Sequence, residues 1–184
     1  MGEDLAGARA IVTICHDLGL VAAMNFQLRF SPNVLALCDL VASKQLGDIV
    51  DIEVRLVVKQ PWHLWTFLEG APRLEILYHS IHYLDTIRAL AGEPRGVYCR
   101  AVAHPAMPRF LDTRSTVILD YGDAVRCSLL LNHVHQQDST HCASFLKIEG
   151  TRGAAHLTMG VNIDYPNGPR DTLEVARARG PWEQ

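Results

Sequence analysis

The chain has 184 residues, 48% of them hydrophobic and 20% charged, the balance of an ordinary globular domain with a real core. A formal net charge of −3 gives no reason to expect nucleic acid or an anionic membrane as partner. No stretch approaches the roughly 18 uninterrupted apolar residues of a membrane-crossing helix, and the first residues lack the basic-then-apolar pattern of a secretory signal.

Five cysteines, Cys15, Cys38, Cys99, Cys127 and Cys142, sit among apolar neighbours with no CxxC pair. They read as small buried hydrophobes of a protein in the reducing cytoplasm. In chain order, Ala8, Ile11, Val12, Cys15 and Leu18 form a helical stripe that Gly19 closes. The run Leu20 to Phe26 reads as a short buried strand. Ser31-Pro32 supplies an N-cap and a proline at the first helical position, and the helix they start runs to about Lys44, with Val34, Leu37, Cys38 and Val41 inward.

After Gly47 the period changes from 3.6 to 2. Val50, Ile52, Val54, Leu56 and Val58 share one face, while Asp51, Glu53, Arg55 and Lys59 share the other, predicting a long strand over Ile49 to Lys59. Gln60 to Pro72 is a loop rich in aromatics. Beyond Pro94 the chain reads as strands: Val97 to Ala103, Ser115 to Tyr121, Ala124 to His135 after the turn Gly122-Asp123, then His141 to Glu149 and Ala154 to Met159. The turn Pro166-Asn167-Gly168-Pro169 separates the last pair. The sum is α+β: a large, mostly antiparallel open sheet with helices packed on one face.

The most informative segment is Glu75 to Glu93. Leu74, Leu77, Ile81, Leu84 and Ala91 recur at helical spacing and predict an apolar stripe. Gly92 and Pro94 end the helix. Tyr78, His82 and Asp85 are spaced by four and three residues, so one face presents all three. Such a group is either a satisfied core network or part of an active site. His79, three residues before His82, can face the same cavity or bond to the sheet. The loop residues Trp62, His63 and Trp65 offer flat apolar faces for a substrate, or cap the sheet edge. Arg29 either binds substrate or forms a structural ion pair. His133 and His135 share a strand face; they read as the polar end of a core-facing strand or, with His79 and His82, as a metal site.

The ordered set Asn25-x-x-x-Arg29-Phe30-x-Pro32, Gly47, long strand, His82-x-x-Asp85, Gly92-Glu93-Pro94 and open sheet resembles the Gfo/Idh/MocA oxidoreductases. The resemblance implies a C-terminal substrate-binding domain over residues 25–184, truncated at its end, with residues 1–24 a remnant of a cofactor-binding domain. It implies NAD or NADP in the full-length protein, a sugar, polyol or related hydroxy compound as substrate, and a homo-oligomer through the open sheet face. The glycine-rich pyrophosphate turn and the family's catalytic Glu-Lys-Pro segment are absent, so this chain alone is expected to bind no cofactor and to be inactive. The family's helix commonly reads Asp-x-Gly-x-His-x-x-Asp, which makes His82 the acid/base. Tyr78 stands at the first Asp and Ser80 at the Gly. Tyr78 is a candidate partner of His82, but it cannot supply a carboxylate's charge near neutral pH. That departure supports an alternative: a catalytically decayed binding or dimerisation scaffold.

Overall fold

The period-2 run that begins at Ile49 becomes the strand around which the sheet is built. The computed structural model describes residues 4–68 and 73–184. Strand β1, Ile49–Val57, lies between two partners from later in the chain. The others are β2 (Gly96–Val102), β3 (Arg114–Asp120), β4 (Arg126–Asn132), β5 (Ala143–Gly150), β6 (Gly153–Thr158), β7 (Thr172–Arg177) and β8 (Trp182–Glu183). Among the described residues these eight form one sheet in the order β2-β3-β4-β1-β5-β6-β7-β8. Only the β1–β4 pair is parallel; every other ladder is antiparallel. The expected α+β architecture is the observed one.

One face of the sheet is dry. Ile52, Val54 and Leu56 of β1 pack with Val117, Leu129, Leu131, Leu146 and Ile148 from its neighbours. Two helices cover them: α2, Pro32–Ala42, through Val34 and Leu37, and α3, Ile81–Ala91, through Tyr83, Ile87 and Leu90. Each such aliphatic side chain contributes about 1.5–3 kcal/mol by leaving water. Val50 was expected on this face but is 38% exposed. The register shifts between Ile49 and Asp51, and this irregularity turns Val50 out.

Three further expectations are corrected. The first helix forms as α1, Leu5–Asp17, capped by Asp4, whose side chain accepts from the Gly7 N–H at 2.7 Å. Its stripe is not inward, because no residue of α1 is buried. Leu20 to Phe26 is not a strand; Val21 is 98% exposed. Its residues have strand character, but among the described residues no neighbouring ladder takes up their backbone groups. The strand expected as far as His135 ends at Asn132, with Lys59 and Val134 joined in an isolated bridge beyond it.

The predicted helix over Glu75 to Glu93 begins with a π-helical turn, Glu75–Ser80, before α3. A π turn inserts a residue and rotates everything after it. The buried face is therefore Tyr83, Thr86, Ile87 and Leu90, whereas Leu77, Ile81, Leu84 and Ala91 of the expected stripe are half-buried. Gly92 ends the helix at φ +79°, ψ −159°, a region glycine enters freely. In the aromatic loop, Trp62–Leu64 and Thr66–Leu68 are short 3-10 turns. Residues 69–72 of that loop lie outside the described residues.

Candidate active site

The π turn, the first turn of α3 and the 3-10 turn Gln27–Phe30 enclose a cavity of about 410 Å³. Tyr78, His79 and His82 line it from the helix, Trp65 and Phe67 from the aromatic loop, and Gln27 and Asn162 from the remaining sides. Four of the residues singled out by sequence, Tyr78, His79, His82 and Trp65, therefore meet in one place. Tyr78 and His82 do so because four residues span about one helical turn.

His82 is the group best suited to move a proton. Its Nδ1 is buried and has no hydrogen-bond partner among the described residues. The ring meets Phe26 edge-on at 5.9 Å, and Thr86 donates its hydroxyl to the His82 carbonyl at 2.9 Å. Burial pushes the imidazole below its ordinary value, while Asp85 pulls it up. The neutral ring is thus favoured.

His79 behaves differently. Its ring centroid lies 4.8 Å from that of Trp62 and 4.5 Å from that of His133. Burial, reinforced by His133 and His82, lowers its pKa to about 2. At neutral pH it is an uncharged donor or acceptor in the cavity wall.

Behind His79 lies a network that sequence reasoning missed. Glu75 is fully buried, with Oε2 2.6 Å from His133 Nδ1. Ser80 donates its hydroxyl to the other carboxyl oxygen of Glu75. Trp62 donates its indole N–H to the His133 carbonyl at 2.9 Å. Five residues separate Glu75 from Ser80, a spacing that α-helical reasoning places on different faces. The π turn brings them together. His133 is thereby tied to Glu75, while His135 lines a different cavity. Among the described residues no group of three or more His, Cys, Asp and Glu side chains is arranged to hold a metal ion.

Arg29 and Asp85 form a bidentate pair: Arg29 Nε to Oδ2 at 2.8 Å and Nη2 to Oδ1 at 2.6 Å. Asp85 is buried. The pair fastens the turn Gln27–Phe30 to α3, and neither residue lines the cavity. Trp62 and His63 also lie outside it, lining a second cavity on the far side of the indole.

A sequence profile described as the GFO/IDH/MocA C-terminal domain matches residues 34–156. The chain belongs to the Gfo/Idh/MocA family. It corresponds to the C-terminal domain of these oxidoreductases. Comparison with curated proteins gives no match. Solved Gfo/Idh/MocA structures share the fold. An Agrobacterium radiobacter oxidoreductase in complex with NAD+, L-tartaric acid and magnesium superposes with a TM-score of 0.81 at 17% identity, over 99% of this chain and 51% of that one. An inositol dehydrogenase homolog from Azotobacter vinelandii, complexed with NADH and myo-inositol, gives 0.74 at 13% identity, over 96% and 45%. The WlbA dehydrogenase from Bordetella pertussis, in complex with NADH and UDP-GlcNAcA, gives 0.73 at 17% identity, over 94% and 52%. The chain thus spans about half the length of these Gfo/Idh/MocA proteins. Among the described residues no helix is long and apolar enough to cross a membrane.

Proposed function

We propose that this chain is the substrate-binding domain of an NAD(P)-dependent oxidoreductase acting on a sugar, polyol or related hydroxy compound. The observation that carries the reading is His82: an imidazole held toward its neutral form in the wall of a cavity of about 410 Å³. The tartrate, inositol and UDP-sugar complexes of the similar proteins support a hydroxylated substrate. His82 exchanges a proton with the substrate hydroxyl. Tyr78 and neutral His79 orient that hydroxyl, and Trp65 offers its indole to the carbon skeleton.

None of the described residues forms a glycine-rich turn opening a helix as a pyrophosphate cradle. The chain alone is therefore proposed to bind neither NAD nor NADP and to be inactive, with a preceding cofactor domain completing the enzyme. Calorimetric titration tests this, and micromolar binding of either dinucleotide by the 184-residue chain would overturn it. In the full-length protein, His82→Gln should lower kcat by at least about 100-fold with the fold intact. A loss below about threefold would remove His82 from the chemistry.

The open sheet face supports a proposal of self-association. Tyr98, Ile118 and Leu130 are exposed there, and Trp182 lies at its β8 edge. An uncovered sheet face of this kind is a liability unless paired or charged. Light scattering should give a dimer or larger species; monomer alone at high concentration counts against the interface. The alternative of a decayed scaffold rests on Tyr78 replacing a carboxylate, and the buried carboxylate of Glu75 nearby weakens it.

A further inference from the structure

A second cavity, also of about 410 Å³, lies across Trp62 from the histidine cavity. Its character is different. Lys59, His63, Arg109 and His135 are among the residues that line it, and no carboxylate is among the described ones. This concentration of basic groups occurs in a chain whose formal net charge is −3. The apolar part of the lining is aromatic and flat: Trp62 and Phe110, with Met107 and Val134 beside them.

The lining is held by backbone bonds rather than left to mobile side chains. Val58 donates to the Asn132 carbonyl at 2.9 Å and His135 donates to the Val58 carbonyl at 3.1 Å. The first closes the parallel β1–β4 ladder, the second belongs to the antiparallel bridge between Lys59 and Val134, and together they set Lys59 and His135 on adjacent segments. The opposite wall is a tight loop in which Met107 donates to His104 and Phe110 to Met107, at 2.8 and 3.1 Å. The Trp62 indole is fixed by its bond to His133. Among the described acids, Asp138 acts electrostatically on His135 and Lys59 from outside the lining. Its carboxylate accepts from the Thr140 N–H at 2.8 Å and caps the turn there.

An apolar floor with an ammonium and N–H donors at its rim takes a ligand with the complementary halves. We propose that this cavity is a binding site for a small organic anion, a carboxylate or phosphate ester carried on a flat apolar body. The body lies against Trp62 and Phe110, and the anionic group bonds to Lys59 and the imidazoles of His63 and His135. The site is separate from the proposed chemistry at His82, so it stands or falls independently of that reading.

The test is titration of the 184-residue chain with phenyl phosphate, benzoate and neutral benzyl alcohol, read by tryptophan fluorescence and by calorimetry. At least one anion should saturate with one site per chain, and the tighter of the two identifies the head group. Benzyl alcohol should bind at least about tenfold more weakly. Lys59→Gln and His135→Gln should each weaken anion binding about tenfold, with unchanged circular dichroism. His82→Gln should leave the affinity unaltered. Absence of saturation by about 10 mM for both anions, equal binding of benzyl alcohol, or insensitivity to both Lys59→Gln and His135→Gln would each overturn the proposal. Loss of binding in His82→Gln with retention in Lys59→Gln would also overturn it, by moving the ligand to the histidine cavity.

Discussion

Acidification should destabilise this domain through one residue in particular. The His79 imidazole is packed between Trp62 and His133, and burial lowers its pKa from 6.5 to about 2. Unfolding returns the ring to water and to its ordinary value. Between those two values the unfolded chain holds a proton that the native chain refuses. Stability is therefore whole above about pH 6.5 and falls as the pH falls through the window below it. The slope for one such group is about 1.4 kcal/mol per pH unit, so descending to pH 5 costs about 2 kcal/mol. That is a large fraction of a typical domain's margin. The assay is urea unfolding of wild type and His79→Gln at several pH values between about 5 and 7.5. Glutamine does not titrate, so the stability difference between the two proteins should shrink by about 2 kcal/mol across that range. A difference constant to within about 0.5 kcal/mol would refute the claim that burial holds His79 neutral.

Two further outcomes follow from the same interior. Arg29→Ala leaves the buried Asp85 carboxylate without its bidentate partner and should cost about 3 kcal/mol in denaturant unfolding. In a double-mutant cycle, Asp85→Asn should recover much of that loss, and strict additivity would deny the coupling. Glu75→Leu strands the Ser80 hydroxyl and His133 Nδ1 in a dry interior and should cost about 2–6 kcal/mol, at about 1–3 per orphaned group. Glu75→Gln keeps an acceptor there and should lose less; equal losses would show that the two bonds contribute nothing.

The sheet and the helix α2 were legible because their residues obey one period over many positions. Ile52, Val54, Leu56 and Val58 alternate without a break, and all four are buried. Ser31-Pro32 starts α2 where it should. Failures came where a segment's character depends on something beyond its own pattern. The apolar content of α1 and of Leu20 to Phe26 predicted burial, but among the described residues nothing buries α1, and most of that run is exposed. Val50 obeyed the alternation and still left the core, because the register shift is a property of the β1–β5 pair.

The site divides along the same line. Tyr78 and His82 could be read together because their spacing is that of an α-helix. Glu75, Ser80 and His133 could not be: a π turn joins the first two, and the third comes from 58 residues away in sequence. This changes how the substitution at position 78 is weighed. Read along an ideal helix, Tyr78 leaves its face without a carboxylate. Folded, the same segment places the Glu75 carboxylate against His133, whose ring packs on His79 in the cavity wall. The two cavity histidines then have distinct capacities. His79, held at about 2, stays neutral across the physiological range and can only donate or accept a hydrogen bond. His82 is pushed in the same direction, but Asp85 opposes the shift. The proposal that His82 exchanges the proton rests on that contrast.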